Sequence, residues 1–388
     1  MPTIQITVCS PIRDSFRVQQ VRGLFGLPEE TENAVTLTAE LPGSEEEWTI
    51  GAIVGPSGSG KTTIASAAYG SHLAPHVGRS NDPSRGLAMH AWSADRAVID
   101  GFGDGPIKAI TELLAAVGFG CPKAWLRPYH VLSNGEKFRC DLARRLLMAA
   151  APAKHDPRGQ GRLVVFDEFS SLVDRGAARC ASAAISRLIH RQNRATPSSP
   201  IRFVAITCHD DVLPWLETDW VLDMGTGQLT RGRLRRPRVE LEVVRCRQSL
   251  WPQFARHHYL GGGLARSATC YAAVWDGAAA AFCAVVGQPG CPGRKRISRL
   301  VTLPNFQGLG IGMRLAERVA EYQQRRGFTV GITASHPAII AHCRRSPRWR
   351  AGRVKYLGAA PHQLGRRSIP TSSGRGVAAF TFQPFPGA

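Results

Sequence analysis

Residues 48–63 read WTIGAIVGPSGSGKTT and decide the fold of the first half of the chain. From Gly55 to Thr62 they fit the pattern G-x-x-x-x-G-K-[ST], with an apolar β-type run before it and a helical run after it. The glycines let successive backbone N–H groups turn inward around phosphate oxygens, Lys61 adds a positive charge, and the Thr62 hydroxyl can hold Mg²⁺. The stretch therefore predicts a phosphate-binding loop between a strand and a helix.

An acidic pair follows another apolar run further along the chain. LVVFDEF, residues 163–169, places Asp167 and Glu168 at the end of a predicted strand. One acid at that point can hold Mg²⁺, and a second can polarise a water that attacks a phosphoanhydride. Alone, such a pair is more often a solvated turn. After a phosphate loop it predicts a metal ligand, Asp167, and a catalytic base, Glu168.

The octapeptide LSNGEKFR, residues 132–139, narrows the class. Together with the phosphate loop it resembles the ATP-binding cassette (ABC) family, whose signature reads L-S-G-G-Q/E-x-x-R. Other elements follow in the family's order. Asp174 stands six positions after Glu168, like the D-loop aspartate, and His209 follows the next strand, like the switch histidine.

This resemblance implies ATP and Mg²⁺ as cofactors and ATP hydrolysis as the reaction, with Glu168 and His209 as catalytic residues. It also implies that Ser133 and Gly135, at a helix N-terminus, close over the γ-phosphate of ATP held by another copy, which requires a head-to-tail homodimer. The nucleotide-binding residues carried over from the family are Gly55, Ser57, Gly58, Gly60, Lys61, Thr62, Thr63, Ser133, Gly135 and Asp174.

The sequence departs from the family pattern in two places. No glutamine occurs between Thr63 and Val131, so the Q-loop glutamine is missing, and Asp100 is the residue that can take its place. Asn134 replaces the first signature glycine. The form L-S-x-G-E-K looks more like the soluble cassette ATPases of DNA repair and chromosome maintenance than like a transporter engine. Hydrolysis is expected because Glu168 is retained.

A second glycine-rich turn lies between a predicted strand and helix in the other half of the chain. RLVTLPNFQGLGIGMRL, residues 299–315, resembles the acyl-CoA loop Q/R-x-x-G-x-G/A of the GCN5-related N-acetyltransferase (GNAT) family. Gln307, Gly310 and Gly312 match, and Gly308 adds a further residue without a side chain. Backbone N–H groups can then approach the CoA pyrophosphate at a helix start. Dinucleotide-binding proteins have similar turns, but the surrounding order of strands favours a GNAT-like domain that binds acetyl-CoA or another acyl-CoA.

GNAT chemistry uses a base for the amine proton and a donor for the thiolate leaving group. FARHHYLG, residues 254–261, offers His258 and Tyr259 and is similar to the H-Y-x-G segment of Mom-type phage proteins, acetyltransferase-like enzymes that modify adenine in DNA. Ser335 or His336 could protonate the thiolate. Alternatively, one histidine caps a helix, Tyr259 packs in the core, and Ser335 is a helix N-cap.

The charge of the chain is unevenly distributed. Its 388 residues carry 49 basic and 29 acidic side chains, a net charge of +20. Residues 231–388 hold 26 of the basic and 5 of the acidic side chains, so their net charge is +21. Such a block attracts polyanions through phosphate contacts and counterion release, which predicts DNA or RNA as a partner. The alternative is a solvated Arg-rich surface.

One stretch combines this charge with an aromatic ring. Trp349 stands among Arg344, Arg345, Arg348 and Arg350. This composition predicts a surface that binds phosphates and stacks on bases. The alternative is a solvated basic face with a buried tryptophan.

Composition excludes several classes of protein. Apolar residues make up 43% and charged residues 20%, as in a soluble globular protein. The sequence has no uncharged apolar run of about 18 residues and no basic-then-apolar leader at its N-terminus. The 10 cysteines include no C-x-x-C pair. We therefore expect a cytoplasmic protein with reduced thiols, no zinc site and no membrane partner.

The sequence thus predicts an α/β protein with an ABC-type ATPase domain at residues 1–230, a basic linker at 231–240 and a GNAT-like acyltransferase domain at 241–388. The first functional hypothesis is a bifunctional enzyme that dimerises with ATP at nucleic acid and transfers an acyl group, such as acetyl, to an amine of a nucleobase. Two alternatives stay open: an ATP-switched nucleic-acid clamp with a non-catalytic GNAT-like module, and an acetyltransferase that acts on a protein or a small amine.

Overall fold

A computed structural model describes residues 3–28, 32–43, 45–70, 92–150, 162–260, 262–355 and 376–383. The chain forms two compact units. The first comprises Met1–Ala91, Ala149–Ser171 and Ile189–Arg235, and the second comprises Trp92–Met148, Leu172–Leu188 and Arg236–Ala388.

Strands and helices alternate along most of the chain. The strands are β1 (Thr3–Pro11), β2 (Glu32–Glu40), β3 (Ile50–Val54), β4 (Arg162–Phe166), β5 (Ile201–Thr207), β6 (Trp220–Asp223), β7 (Gln228–Arg231), β8 (Glu242–Cys246), β9 (Thr269–Trp275), β10 (Ala278–Gln288), β11 (Cys291–Thr302), β12 (Thr329–Ala334), β13 (Trp349–Lys355) and β14 (Val377–Phe382). The helices are α1 (Phe16–Phe25), α2 (Lys61–Tyr69), α3 (Ile107–Ala116), α4 (Pro122–Trp125), α5 (Asn134–Ala150), α6 (Arg175–Ala195), α7 (Leu213–Leu216), α8 (Trp251–Ala255), α9 (Ile311–Arg325) and α10 (Pro337–Arg345). Among the described residues, no helix combines the length and the apolar composition needed to cross a bilayer.

The first unit is built on a five-stranded sheet in the order β4-β5-β3-β6-β7. β3, β4, β5 and β6 run parallel, and β7 is antiparallel to β6. Every residue of the central strand β3 is buried, as expected for a strand covered on both faces. The α/β fold predicted for the ATPase domain is confirmed.

An antiparallel strand pair and helix α2 add an apolar cluster to this unit. β1 and β2 pair from Thr3–Glu40 to Pro11–Glu32. Leu41, Ile53 and Ile64 are at most 2% exposed and share one core cluster. Burial of a side chain of this kind stabilises the fold by about 1.5–3 kcal/mol. The cluster anchors α2, and so the glycine-rich loop that precedes this helix.

The second unit contains a seven-stranded sheet in the order β13-β14-β12-β11-β10-β9-β8. Helix α9 packs on this sheet with Ile311, Leu315 and Val319 buried at a spacing of four residues, the period expected for one helix face. Gln323 on the same helix is fully buried, but its Nε2 donates to the Tyr271 hydroxyl at 2.7 Å, so the buried amide has a partner. The α/β fold predicted for the GNAT-like domain is confirmed.

This unit also includes the helical segments of residues 92–148 and 172–188. The Trp92 ring stacks on Tyr129 with centroids 4.9 Å apart, and both residues donate to Asp141, at 2.8 and 2.6 Å. The Arg144 guanidinium lies 4.5 Å from the Trp92 centroid. Burial and the Asp141 charge raise the pKa of Tyr129, so its hydroxyl stays a donor. These contacts hold α5, the helix that starts in the signature motif.

Candidate functional site

The phosphate loop lies between β3 and α2, as predicted. Gly55, Gly58 and Gly60 have φ values of 145°, 82° and 84°, which favour glycine. The Lys61 Nζ donates to the carbonyl oxygens of Gly55 at 2.8 Å and Pro56 at 2.6 Å, so its charge is held against the loop. Helix α2 has no side-chain N-cap, and its first backbone N–H groups can therefore receive an anion.

A hydroxyl and a carboxylate meet beside this loop. The Thr62 Oγ1 lies 3.2 and 3.1 Å from the two carboxylate oxygens of Asp167, which follows β4. Oxygen donors of this kind suit Mg²⁺, so the pair fits the predicted metal site. Ser57 is exposed on the loop, and Thr63 is half-buried in α2. Asp100, the predicted substitute for the Q-loop glutamine, is exposed in the second unit.

Glu168 and His209 follow two neighbouring parallel strands. Glu168 has a φ of 50°, and non-glycine residues in this region are uncommon and cluster at functional sites. Its amide donates to the Asp167 carboxylate at 2.8 Å. His209 follows β5, and its Nδ1 lies 3.5 Å from the Oγ of Ser170, a residue that the sequence analysis did not single out. The proposed metal ligand, base and switch histidine thus share one edge of the sheet.

The signature motif forms the start of α5. The Ser133 amide donates to the Glu136 carboxylate at 3.0 Å, and the Glu136 amide donates to the Ser133 Oγ at 3.3 Å. This reciprocal pair is a capping box, which fixes the helix start at Asn134. Ser133 and Gly135 therefore lie at a helix N-terminus, as predicted. Their contact with ATP stays a prediction.

Asp174 directly precedes α6, and Arg139 lies in the N-terminal part of α5. Asp174 Oδ1 accepts the Ala177 N–H at 2.9 Å. Arg139 is 2% exposed, and within the described part of the chain its Nε and Nη2 have no hydrogen-bond partner. Burial lowers the pKa of Arg139, and the charges of Asp174 and Glu136 act in the opposite direction. The last residue of the signature motif is therefore a buried arginine.

The predicted acyl-CoA loop joins β11 to α9. Gly310, with a φ of 79°, is the N-cap residue of α9, and no side chain caps the helix. The first N–H groups of α9 can therefore receive a diphosphate. The other two glycines have a packing reason instead. A Cβ at Gly308 would lie 2.6 Å from Ala184 Cβ, and one at Gly312 would lie 2.6 Å from Thr302 Oγ1.

Beside this loop the parallel strands β11 and β12 separate. They pair from Arg294–Thr329 to Ile297–Ile332, whereas β11 continues along β10 as far as Thr302. A cleft between parallel strands exposes backbone N–H and C=O groups on its walls. Such walls suit an extended ligand that carries amides of its own.

The side chain of Gln307 is already engaged. Its Nε2 donates to the Thr302 carbonyl at 3.0 Å, and its Oε1 accepts the Gly120 N–H at 2.8 Å. Two nearby carbonyl oxygens accept from Arg187: Gly308 O at 3.1 Å and Leu309 O at 3.3 Å. Sequence reasoning missed Gly120 and Arg187, because both lie more than a hundred positions from the loop and belong to no motif that marks such a contact.

The candidate acyl-transfer residues form one cluster. The His258 ring stacks on Tyr259 with centroids 5.0 Å apart, and the Tyr259 ring lies 6.4 Å from that of His336. His258 is 5% exposed, its Nδ1 lies 3.2 Å from the Leu260 carbonyl oxygen, and burial lowers its pKa to about 4. The imidazole is therefore uncharged at neutral pH. Nδ1 also accepts the Leu260 N–H at 3.1 Å, so Nε2 can take a proton only in the tautomer in which Nδ1 instead donates to the Leu260 carbonyl. Gly261 of the same segment lies outside the described residues.

His336, and not Ser335, is the N-cap of α10. Its Nδ1 accepts the Ala338 N–H at 3.2 Å, so the interpretation of Ser335 as the cap is wrong. His336 Nε2 donates to the Gly120 carbonyl at 2.8 Å, and burial lowers the pKa of this histidine. Both ring nitrogens are thus occupied. The Ser335 Oγ is buried without a hydrogen-bond partner among the described residues, and it stays a candidate proton donor.

Trp349 belongs to the core of the second unit. It is 4% exposed, its ring packs against Phe382 with centroids 5.0 Å apart, and its Nε1 donates to Glu317 at 3.1 Å. The predicted base-stacking role of Trp349 is therefore wrong, because the ring has no face left for a base.

The arginines around this tryptophan differ in their surroundings. Arg348 Nη1 lies 2.6 Å from Glu321 Oε1, and the Arg348 side chain is only 16% exposed. Arg344, Arg345 and Arg350 are exposed. The charged face predicted from the sequence is thus present at three of the four arginines, without the aromatic ring.

Parts of the chain are similar to known proteins. Residues 237–342 match the family model of the acetyltransferase (GNAT) family. The chain is similar to the ribosomal-protein-S18-alanine N-acetyltransferase from Escherichia coli, with 14% identity over 37% of this chain and 93% of that one and a TM-score of 0.29. It is also similar to a Bacillus subtilis acetyltransferase solved with CoA, with 13% identity over 38% and 99% of the two chains and a TM-score of 0.28. A further similarity, over 49% of this chain and 87% of the other, is to the dimeric structure of MJ0796, a bacterial ABC transporter cassette, with 12% identity and a TM-score of 0.33. A sequence search against curated proteins finds no match.

Proposed function

Because residues 237–342 carry an acetyltransferase domain of the GNAT family, we propose that this protein is an ATP-hydrolysing N-acyltransferase that acts on nucleic acid. The phosphate loop binds ATP, the loop before α9 binds acyl-CoA, and the acceptor is an amine of a nucleobase. One observation carries this proposal. Helix α9 has Gly310 as its N-cap residue and no side-chain cap, and it lies beside the cleft between β11 and β12.

ATP hydrolysis is supported by the edge of the first sheet. Thr62 and Asp167 would hold Mg²⁺, which neutralises phosphate charge as the anhydride breaks. Glu168 stands next to Asp167 and would take a proton from the attacking water. His209, at the end of the neighbouring strand, would contact the γ-phosphate.

A second copy of the chain would complete this site. The N-terminus of α5 carries the positive end of the helix dipole and is fixed by the Ser133–Glu136 capping box. In the proposal, Ser133 and Gly135 of one copy receive the γ-phosphate of ATP bound to the other, so ATP joins two chains head to tail.

Acyl-CoA would supply a thioester with an electrophilic carbonyl carbon. As the amine nitrogen bonds to that carbon, the C–S bond breaks and the amine loses a proton. His258 would take this proton, and the Ser335 hydroxyl would give one to the departing thiolate. The proton on His258 would then return to Ser335 through solvent, so that the products are an amide and a free thiol. Tyr259 would fix the orientation of the His258 ring by stacking on it.

Charge supports a nucleic acid as the acceptor. The acidic side chains of α9 already have partners, since Glu317 binds His342 at 2.8 Å and Glu321 binds Arg348. Exposed arginines such as Arg344 belong to residues 231–388, whose net charge is +21. Such a surface recruits phosphate backbones largely regardless of their sequence.

Mass spectrometry of nucleosides tests this function. The full chain is incubated with ATP, Mg²⁺, acetyl-CoA labelled with ¹³C in the acetyl group, and duplex DNA or RNA, with a lysine-rich protein and a polyamine in parallel reactions. We expect labelled acetyl on a nucleoside. If label is found only on the protein or the polyamine, the acceptor is a protein or a small amine and not a nucleobase.

A second candidate function is an ATP-switched nucleic-acid clamp whose GNAT domain is not catalytic. It is favoured by Gln307 and His336, which flank the cleft and are both hydrogen-bonded to Gly120. In the same reactions this candidate predicts ATP hydrolysis and ATP-dependent nucleic-acid binding without label on any acceptor.

A further inference from the structure

The backbone of one residue, Gly120, spans the cleft between β11 and β12. Gln307 follows β11 and its Oε1 accepts the Gly120 N–H, whereas His336 follows β12 and its Nε2 donates to the Gly120 carbonyl, both at 2.8 Å. Gly118 is also close, because a Cβ there would lie 3.0 Å from the Gln307 carbonyl oxygen. The turn at residues 118–120 therefore bonds to both sides of the proposed acyl-CoA cleft, at the point where the strands separate.

Helix α4 fixes this turn in place. The Trp125 Nε1 donates to the Phe119 carbonyl at 2.8 Å, and Trp125 is only 6% exposed. The Trp125 ring also lies 6.3 Å from the ring of His336. The turn is thus an ordered part of the second unit and would have to move before a ligand could enter.

The same turn lies next to the helix that carries the signature motif. A Cβ at Gly118 would lie 3.4 Å from the Nε of Arg139, which follows the Ser133–Glu136 capping box by one helical turn. Arg139 is 2% exposed, so close-packed atoms connect α5 to the surroundings of the turn.

Helix α6 gives a second connection to the acyl-CoA loop. It starts directly after Asp174, and its Arg187 holds the carbonyls of Gly308 and Leu309. A Cβ at Gly308 would also meet Ala184 of α6. The signature helix, which is predicted to meet a second copy, therefore lies next to the turn across the cleft, and the helix after Asp174 contacts the acyl-CoA loop.

We propose that the turn at residues 118–120 is a plug of the acyl-CoA cleft, and that ATP binding between two copies withdraws it. The proposal rests on the proposed function. Closure of Ser133 and Gly135 over a γ-phosphate shifts α5, and Gly120 gives up its bonds to Gln307 and His336. Without nucleotide only a small fraction of molecules then has an open cleft. The apparent acyl-CoA affinity is the affinity of the open cleft multiplied by that fraction.

Calorimetry of acetyl-CoA binding to the full chain tests the plug, with and without the Mg²⁺ complex of the non-hydrolysable analogue AMP-PNP. We expect the Kd of acetyl-CoA to fall about fivefold or more in the presence of AMP-PNP. Because linkage is reciprocal, acetyl-CoA should lower the Kd of AMP-PNP by the same factor. Equal affinities with and without AMP-PNP, or weaker acetyl-CoA binding in its presence, overturn the proposal.

Gly120→Val is the matching variant. Its Cβ would lie 3.1 Å from Gln307 Oε1 and 3.7 Å from His336 Nε2, so a branched side chain cannot be seated between them. We expect this variant to bind acetyl-CoA without nucleotide as tightly as the wild type does with AMP-PNP. Gly105→Val is the control, because the nearest atom to its Cβ is 3.9 Å away, and it should keep the wild-type nucleotide dependence. A Gly120→Val chain that is still nucleotide-dependent, or that has lost acetyl-CoA binding altogether, contradicts the plug.

Hydrogen exchange of the wild type gives a readout that does not depend on the variant folding. The Gly120 amide should exchange faster when acetyl-CoA saturates the protein, since its bond to Gln307 is broken. Unchanged protection overturns the plug.

Failure of the plug and failure of the proposed function give different results. If acetyl-CoA binds with the same affinity in the presence and absence of AMP-PNP, the plug alone is wrong. If acetyl-CoA binds neither the wild type nor Gly120→Val in any condition, the acyltransferase function is wrong and the plug with it.

Discussion

The Lys61 ammonium lies 2.8 Å from the carbonyl oxygen of Gly55, so it is held at the glycine-rich loop by the loop's own backbone. Pro56 contributes a second carbonyl at 2.6 Å. A cation placed in this way needs little rearrangement to bind a phosphate, because Lys61 is the first residue of helix α2.

Lys61→Ala should weaken ATP binding by roughly tenfold or more, since a charge-assisted bond to phosphate is lost. Acetyl-CoA affinity measured without nucleotide should stay unchanged. Calorimetry with each ligand checks both statements. Lys108→Ala, an exposed lysine of α3, is the control and should leave both affinities unaltered. Loss of both ligands in Lys61→Ala would show that the two loops do not form separate sites.

Glu168→Gln should slow ATP hydrolysis by roughly 10²–10⁴-fold while ATP still binds, because the amide cannot take the proton of the attacking water. ATP should then hold two copies together, and light scattering after size exclusion should show a dimer. Glu112→Gln, at an exposed position of α3, should hydrolyse ATP like the wild type. A Glu168→Gln chain that stays monomeric with ATP and Mg²⁺ contradicts the head-to-tail site.

Local patterns made the two loops predictable. The phosphate loop and the loop before α9 each combine glycine spacing with a strand before and a helix after, and all of that information lies within about twenty residues. Asp167 was predictable for the same reason, since it ends an apolar strand.

Features that depend on burial or on long-range contact were not predictable. Charge density around Trp349 suggested an exposed ring, but nothing local shows that Phe382 and Glu317 enclose it. Gly120 contacts a residue 187 positions away, and Arg187 one 121 positions away. Contacts at such separations arise from tertiary packing, and the sequence of either partner alone does not record them.

Gly310→Glu should abolish acetyl-CoA binding. The carboxylate would stand at the N-cap of α9, where the diphosphate is expected, and the side chain would be strained at a φ of 79°. Gly277→Glu separates this effect from strain alone, because Gly277 has a φ of 74° and open space around its Cβ position. Calorimetry with acetyl-CoA compares the two. Wild-type affinity in Gly310→Glu would refute the placement of the loop.

His258 makes the stability of the fold depend on pH. Burial lowers its pKa from the ordinary 6.5 to about 4, so the unfolded chain binds a proton that the folded chain excludes. The stability is therefore complete above pH 6.5 and is lost as the pH falls towards 4, by about 2 kcal/mol between pH 7 and pH 5. Urea unfolding at the two pH values measures this loss, which should shrink in His258→Asn. The exposed His130→Asn serves as the control and should keep the wild-type difference. An equal loss in His258→Asn would assign the effect to other groups.

The exposed arginines of α10 should set the salt dependence of nucleic-acid binding. The double variant Arg344→Gln, Arg345→Gln removes up to two phosphate contacts, and each one contributes about 0.9 to the slope of log Kd against log salt for duplex DNA. Fluorescence anisotropy of a labelled duplex over a range of salt concentrations measures that slope, which should become shallower while acetyl-CoA affinity stays the same. Arg13→Gln, Arg17→Gln removes the same charge from exposed positions of the first unit and should keep the wild-type slope. If the two double variants change the slope equally, binding follows net charge alone and the C-terminal surface is not the site.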